Sequence, residues 1–224
     1  MSRLLTILAA AGDVVRGRNA GHWRISRPLW TSMASWLGEE MTPSEPGAGC
    51  VELVGHWLWT FGPATEADLV WWLGSTKAIV RKALLDVEAV EVVLEGGSTG
   101  WVLPTDTADL EAPARAEPWV ALLPTLDPTT MGWRERAFYL DPAHTPYLFD
   151  SAGNAGTTVW VDGRIVGCWV QDEEERVRLI LVEEISRDAR RLLDAEASRL
   201  DEFLRGAHIT NVFASPQMKQ MRLG

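Results

Sequence analysis

Apolar residues in the stretch Val51-Glu-Leu-Val-Gly-His-Trp-Leu-Trp-Thr-Phe61 recur at intervals of three and four, through Leu53, Val54, Trp57, Leu58 and Phe61. That period puts them on one stripe of an α-helix, and Gly62-Pro63 ends it. Thr65 then stands where a helix N-cap belongs, with Asp68 in the first turn and Leu69, Trp72 and Leu73 on the inner face. Gly74 stops this second helix, and Ser75 is positioned to cap a third after a very short turn. The third helix, Ser75 to Leu85, turns Ile79, Val80, Ala83 and Leu84 inward. Lys77 and Arg81, four residues apart, share its outer face with Lys82 beside them. Alternation then replaces the helical period: Val90-Glu-Val-Val-Leu94, the glycine-rich turn Glu95 to Gly100, and Trp101-Val-Leu103 read as a hairpin.

Helix, helix, tight turn, basic helix and hairpin is the order of a winged helix, whose third helix enters the major groove of duplex DNA. Ser75, Thr76, Lys77, Arg81 and Lys82 are the residues this reading sets against DNA. The same order also serves protein-interaction modules with a solvated charged face, because a fold does not fix a function.

Upstream, residues 1–37 read as a helix, Arg3 to Ala11, and two strands, Asp13 to Arg18 and His22 to Ser26, joined through Gly17, Asn19 and Gly21. Helix plus hairpin is the back half of a further winged-helix unit. Residues 38–49 are a linker by their Pro, Gly and Glu content, and residues 50–112 form the winged-helix domain. Residues 113–224 form a C-terminal α+β domain, entered through a connector, Asp106 to Pro118, rich in Asp, Glu, Ala and Pro. That domain opens on a buried strand, Val120 to Leu123, and a glycine-rich loop, Phe149 to Gly156. Strands Thr158 to Val161 and Arg164 to Val170 follow on a two-residue Asp162-Gly163 turn, and then strand Val177 to Val182. Its last helix, Ser186 to Arg205, turns Ala189, Leu192, Leu193, Ala197, Leu200, Phe203 and Leu204 inward. The expected class is α+β: tandem winged-helix units with a C-terminal antiparallel sheet packed by a helix.

Charge complicates the DNA reading. The 224 residues carry 31 acidic against 21 basic side chains, a net charge of −10, whereas phosphate-binding faces are basic. The imbalance is uneven, because Arg3, Arg16, Arg18, Arg24 and Arg27 meet only Asp13 in the first thirty residues, and the acidic runs Asp172 to Glu175 and Glu183-Glu184 lie far downstream. A basic start and an acidic end are compatible with a one-sided DNA surface. Cys50 and Cys168 lack metal-ligand spacing and fit small buried residues in a reducing cytoplasm, which makes the expected location cytoplasmic. The apolar run after Met1 is short, continues into domain-like sequence, and reads as a helix, not a signal peptide. Twelve tryptophans spread along the chain read as core fillers.

Three segments carry a family resemblance: Leu122-Leu-Pro-Thr-Leu-Asp-Pro128, Met131-Gly-Trp-Arg-Glu-Arg136, and Gly153 through Trp169. With Phe61 through Gly74 and Gly21 through Trp30, they resemble the tandem winged-helix family of AlkZ/YcaQ-like DNA glycosylases, which remove bulky alkylated purines and unhook interstrand crosslinks. The resemblance runs nearly the whole chain in order. It implies several winged helices holding duplex DNA, intact or damaged, in a basic channel. It also implies a water-positioning pair of glutamines, or a glutamine and an aspartate, spaced Gln-x-Gln, which the family carries near the N-terminus of a longer protein, ahead of what corresponds to Arg3. Gln171, Gln217 and Gln220 are the only glutamines here and none makes that spacing, so no catalytic residue carries over. Thr157 stands where the family has proline, and Asn211-Val-Phe-Ala-Ser-Pro216 is less basic than the family's C-terminal pattern.

The remaining chemistry is sparse. His22, His56, His144 and His208 do not cluster in sequence, so no metal site is expected. Gly153-Asn-Ala-Gly156 precedes a strand, not a helix, which removes it as a phosphate-binding loop, and no cofactor is expected. Asp127, before a proline, reads either as an Asx turn or as a water-activating base for a base-excising enzyme. Asp150 is the other carboxylate of interest. Arg134, Arg136, Asn154 and Arg164 are the phosphate candidates outside the third helix, Arg164 because it follows a hairpin tip. Three functions stay open: a DNA-binding module, a glycosylase with a noncanonical carboxylate, and a protein-interaction relative.

Overall fold

The computed structural model describes residues 3–22, 27–42, 44–108 and 117–220. Contacts divide the chain into two compact units, Met1–Pro46 and Gly47–Gly224.

In the first unit, helix α1 (Arg3–Ala10) leads to an antiparallel hairpin of β1 (Val14–Asn19) and β2 (Pro28–Ser32), then the short helix α2 (Met33–Leu37). Gly12, at φ 82°, lets the chain turn back after α1 so that the Asp13 N–H reaches the Leu8 carbonyl. Ser32 caps α2 through the Ser35 N–H. The second strand differs from expectation. Most of His22 to Ser26 lies outside the described residues, and the strand that pairs with β1 is Pro28–Ser32, in the register Val14↔Ser32 and Arg16↔Trp30. Proline is tolerated there because it opens the strand, and the Asn19 side chain holds the loop by accepting the Arg27 N–H at 2.6 Å.

The second unit begins with three helices and a hairpin: α3 (Pro46–Phe61), α4 (Glu66–Leu73), α5 (Lys77–Asp86), β3 (Val90–Val93) and β4 (Thr99–Val102). Helix α3 extends into the expected linker, since Pro46 occupies a first-turn position where a missing N–H costs nothing. At its end, a Cβ on Gly62 would sit 2.5 Å from the Leu58 carbonyl oxygen, so only glycine fits. Ala64 exchanges both backbone hydrogen bonds with Trp101, which ties the hairpin to the α3–α4 turn. Thr76, not Ser75, caps α5: with Gly74 in the left-handed region the Ser75 N–H is taken by the Val70 carbonyl, and the helix starts one residue later.

Val54, Trp57, Leu58, Ala64, Leu69, Val80, Ala83 and Leu84 form the core of these elements. Leu53, Trp72 and Ile79, expected inside, are 49%, 45% and 47% exposed. Successive helical residues differ by about 100° around the axis, so a neighbour of a buried residue, as Leu53 is of Val54 and Ile79 of Val80, swings off the stripe.

The rest of the unit is a four-stranded antiparallel sheet in the order β5 (Val120–Leu123), β6 (Thr158–Val161), β7 (Arg164–Gln171), β8 (Val177–Leu181). Asp162 and Gly163, at φ 47° and 83°, make the tight β6–β7 turn. Helix α6 (Pro128–Met131) and helix α7 (Thr145–Leu148) lie between β5 and β6, whereas α8 (Arg187–Leu204) and α9 (Pro216–Gln220) close the chain. Both sheet faces are covered. Val159, Val166 and Trp169 pack with Leu193 and Leu204 of α8, while Trp160, Ile165 and Cys168 pack with Tyr139, Leu148 and Met218. Phe203 of α8, expected inside, is 72% exposed, since its neighbour Leu204 takes the buried position. The chain is thus α+β with antiparallel sheets.

Candidate functional site

The cations of α5 all hold acids. Glu66, in the first turn of α4, accepts Arg81 Nε at 2.5 Å and lies 3.6 Å from Lys77 Nζ, and Lys82 Nζ lies 2.6 Å from Asp86. The Arg81 guanidinium holds the Glu66 carboxyl below its usual range. Exposed pairs of this kind contribute roughly 0–1 kcal/mol each, but they cancel the field the sequence reading assigned to this helix. Thr76 spends its hydroxyl on the Ile79 N–H, and Ser75 is half-buried at the same helix start.

The first unit sets basic side chains along a strand. Side chains alternate across a strand, so Arg16 and Arg18 of β1 point to one side and both are exposed, while Gly17 between them faces Trp36 and Thr31. Trp30 stands opposite Arg16 across the hairpin, and Arg27 precedes β2. The sequence sets these arginines on a basic end compatible with a one-sided DNA surface, without naming them among the candidate contacts. Arg-Gly-Arg on an alternating strand was the available signal.

Other candidates separate on inspection. Arg134 is exposed. Arg136 is not directed outward: its guanidinium lies 4.6 Å from the Phe149 ring and 5.6 Å from Trp71, and its Nε is buried with no partner among the described residues. Asn154 is committed to its own loop, donating its side-chain and backbone N–H to Asp150 at 2.9 Å each. Those bonds hold the Asp150 carboxyl below its usual range. Arg164 is exposed just after the hairpin tip and lies 3.4 Å from Glu183. Asp127 caps α6 by accepting the Thr129 N–H at 2.9 Å, which is the Asx-turn reading. Gln171 is buried and bonded to Glu175, Ala207 and Ile209. Thr157, where the resemblance implies proline, donates its hydroxyl to the Trp169 carbonyl. The histidines do not cluster with one another among the described residues, and His144 meets Asp141 and Glu183, with potential ligand atoms of the three within 4.8 Å of one another.

Asp68 was read only as a first-turn charge, and the structure makes it a hub. It is 2% exposed, and its carboxylate accepts the Thr65 N–H and hydroxyl at 3.0 and 2.7 Å and the Arg134 and Glu135 N–H groups at 2.7 and 2.9 Å. The Trp133 indole donates to the Phe61 carbonyl at 3.1 Å beside it. These bonds dock the 133–138 segment on the start of α4 and leave a cavity of ≈730 Å³ between that segment, α4 and the β3–β4 turn. Phe61, Trp133 and Phe138 line it with Glu66, Glu95 and Glu135.

Among the described residues no helix is long and apolar enough to cross a membrane. No curated protein matches the chain. The solved structure of Streptomyces sahachiroi DNA glycosylase AlkZ is similar over 92% of this chain, with 25% sequence identity and a TM-score of 0.76, and the match spans 55% of that protein's chain. A family model described as DNA glycosylase AlkZ-like matches residues 1–203, and with that match the chain belongs to the AlkZ-like DNA glycosylase family.

Proposed function

We propose that this chain binds duplex DNA, intact or damaged, through the basic hairpin of its first unit, as a module of an AlkZ-like glycosylase. The observation that carries the reading is the alternation of exposed Arg16 and Arg18 on β1 beside Arg27, in a stretch whose acid is Asp13. Phosphate contacts from such cations supply most of the affinity for DNA and position the protein without reading sequence. In the second unit, exposed Arg134 fits the same role, and Lys77, Arg81, Lys82 and Arg164 contribute less because Glu66, Asp86 and Glu183 already answer them. Family membership supports a role in DNA repair, and the solved relative is a DNA glycosylase. The sequence holds no Gln-x-Gln pair, and Asp127 is engaged as a helix cap, so base excision is not assigned to a residue here.

The test compares duplex affinity of two variants at low salt. Arg16→Ala/Arg18→Ala is expected to lose at least tenfold, and Lys77→Ala/Arg81→Ala/Lys82→Ala less than threefold. The reverse ranking would return the contact to α5.

A further inference from the structure

The cavity beside α4 has no part in the DNA reading, and its chemistry points away from DNA. At ≈730 Å³ it falls in the size range of small-molecule sites. Its wall is aromatic: Trp133 meets Phe61 and Phe138 edge to face, each at 5.3 Å between ring centroids, and Phe138, which lines the cavity, is 60% exposed. A phenylalanine so exposed at a concave apolar wall leaves a face for a ligand to cover.

The charged side chains lining that cavity are acidic in excess, Glu66, Asp68, Glu95 and Glu135 against Lys77. Glu66 is answered by Arg81 and Lys77, the one cation lining the cavity, and Asp68 is saturated by four donors. Glu95, on the β3–β4 turn, and Glu135, on the docked segment, remain, both exposed, and the carboxylate of neither makes a hydrogen bond or ion pair among the described residues. Two free carboxylates across an aromatic wall repel phosphate and attract a positive charge, which the negative faces of the rings also favour.

We propose that this cavity is a binding site for a small organic cation with a bulky apolar or aromatic body, held by Glu95, Glu135 and the Trp133–Phe138 wall. The body covers the exposed ring of Phe138, and the charge sits between the two carboxylates.

Calorimetric titration of the full chain with tetraphenylphosphonium, and separately with tetraphenylborate, tests it. The two probes share size and apolar surface and differ in the sign of their charge. Saturable binding of the phosphonium alone, weakened by added salt and at least tenfold weaker in Glu95→Gln/Glu135→Gln, is expected. Phe138→Ala should weaken the phosphonium while keeping discrimination against the borate. Equal binding of both probes would reduce the cavity to a nonspecific greasy surface. Binding of neither, or an undiminished affinity in the double glutamine variant with its fold checked by circular dichroism, would overturn the proposal.

Discussion

Replacing Asp68 with alanine removes the one acceptor shared by the α4 cap and the 133–138 segment. Thr65 loses the partner of its N–H and hydroxyl, and the Arg134 and Glu135 N–H groups lose theirs. Hydrogen bonds to a charged group contribute about 1.5–3 kcal/mol each and a helix cap about 1 kcal/mol. The four bonds do not add fully, because the buried carboxylate's own desolvation cost disappears with it. The expected loss is about 3–5 kcal/mol for Asp68→Ala. Asp68→Asn keeps the shape but offers one oxygen, which can serve either the Thr65 side or the Arg134–Glu135 side; a loss of roughly 1–3 kcal/mol follows. Urea unfolding followed by tryptophan fluorescence, with slope and midpoint fitted for each protein, measures both. An Asp68→Ala variant within about 1 kcal/mol of wild type, or Asn as costly as Ala, would refute the hub.

Asp127→Asn should leave DNA binding and any base release unchanged, because asparagine also caps, whereas Asp127→Ala should cost about 1 kcal/mol of stability; a glycosylase assay in which Asn alone abolishes release would restore the catalytic reading. Cys168 is fully buried and burial pushes its thiol up to about 12, against about 8.5 for an exposed thiol. Its contribution to stability is therefore complete below about pH 8.5 and is lost as pH rises from there toward the folded value. Thiol titration with a chromogenic disulfide at pH 8 should leave Cys168 unlabelled in the folded protein and label it in denaturant; rapid native labelling of Cys168 would contradict its burial.

The sequence is most legible where local rules act alone. Thr65, Gly74 and the Asp162-Gly163 turn act at the positions expected, because caps and tight turns depend on one or two residues. The stripes are right in period and too wide in extent: Val54, Val80 and Leu204 are buried while Leu53, Ile79 and Phe203 are not, since the partner element decides which edge of a stripe is covered. Composition misled at Pro46 to Gly49, where proline and glycine open a helix. The site was least legible. Glu66 and Arg81 are fifteen residues apart in sequence, and Asp68 and Arg134 sixty-six, so pairings that cancel the α5 charge and dock the 133–138 segment leave no local pattern. Arg136 looked like a phosphate ligand by type alone, and only its stacking on Phe149 reveals an interior role.

Fluorescence anisotropy of a labelled duplex with the full chain, across a salt series from low to moderate ionic strength, tests the central claim most directly. The account predicts binding whose logarithm falls linearly with log salt, with a slope of about −2 or steeper, since each neutralised phosphate adds about −0.9. The slope should be shallower by about 2 in Arg16→Ala/Arg18→Ala. No binding at low salt, or a slope unchanged by that double substitution, would contradict it.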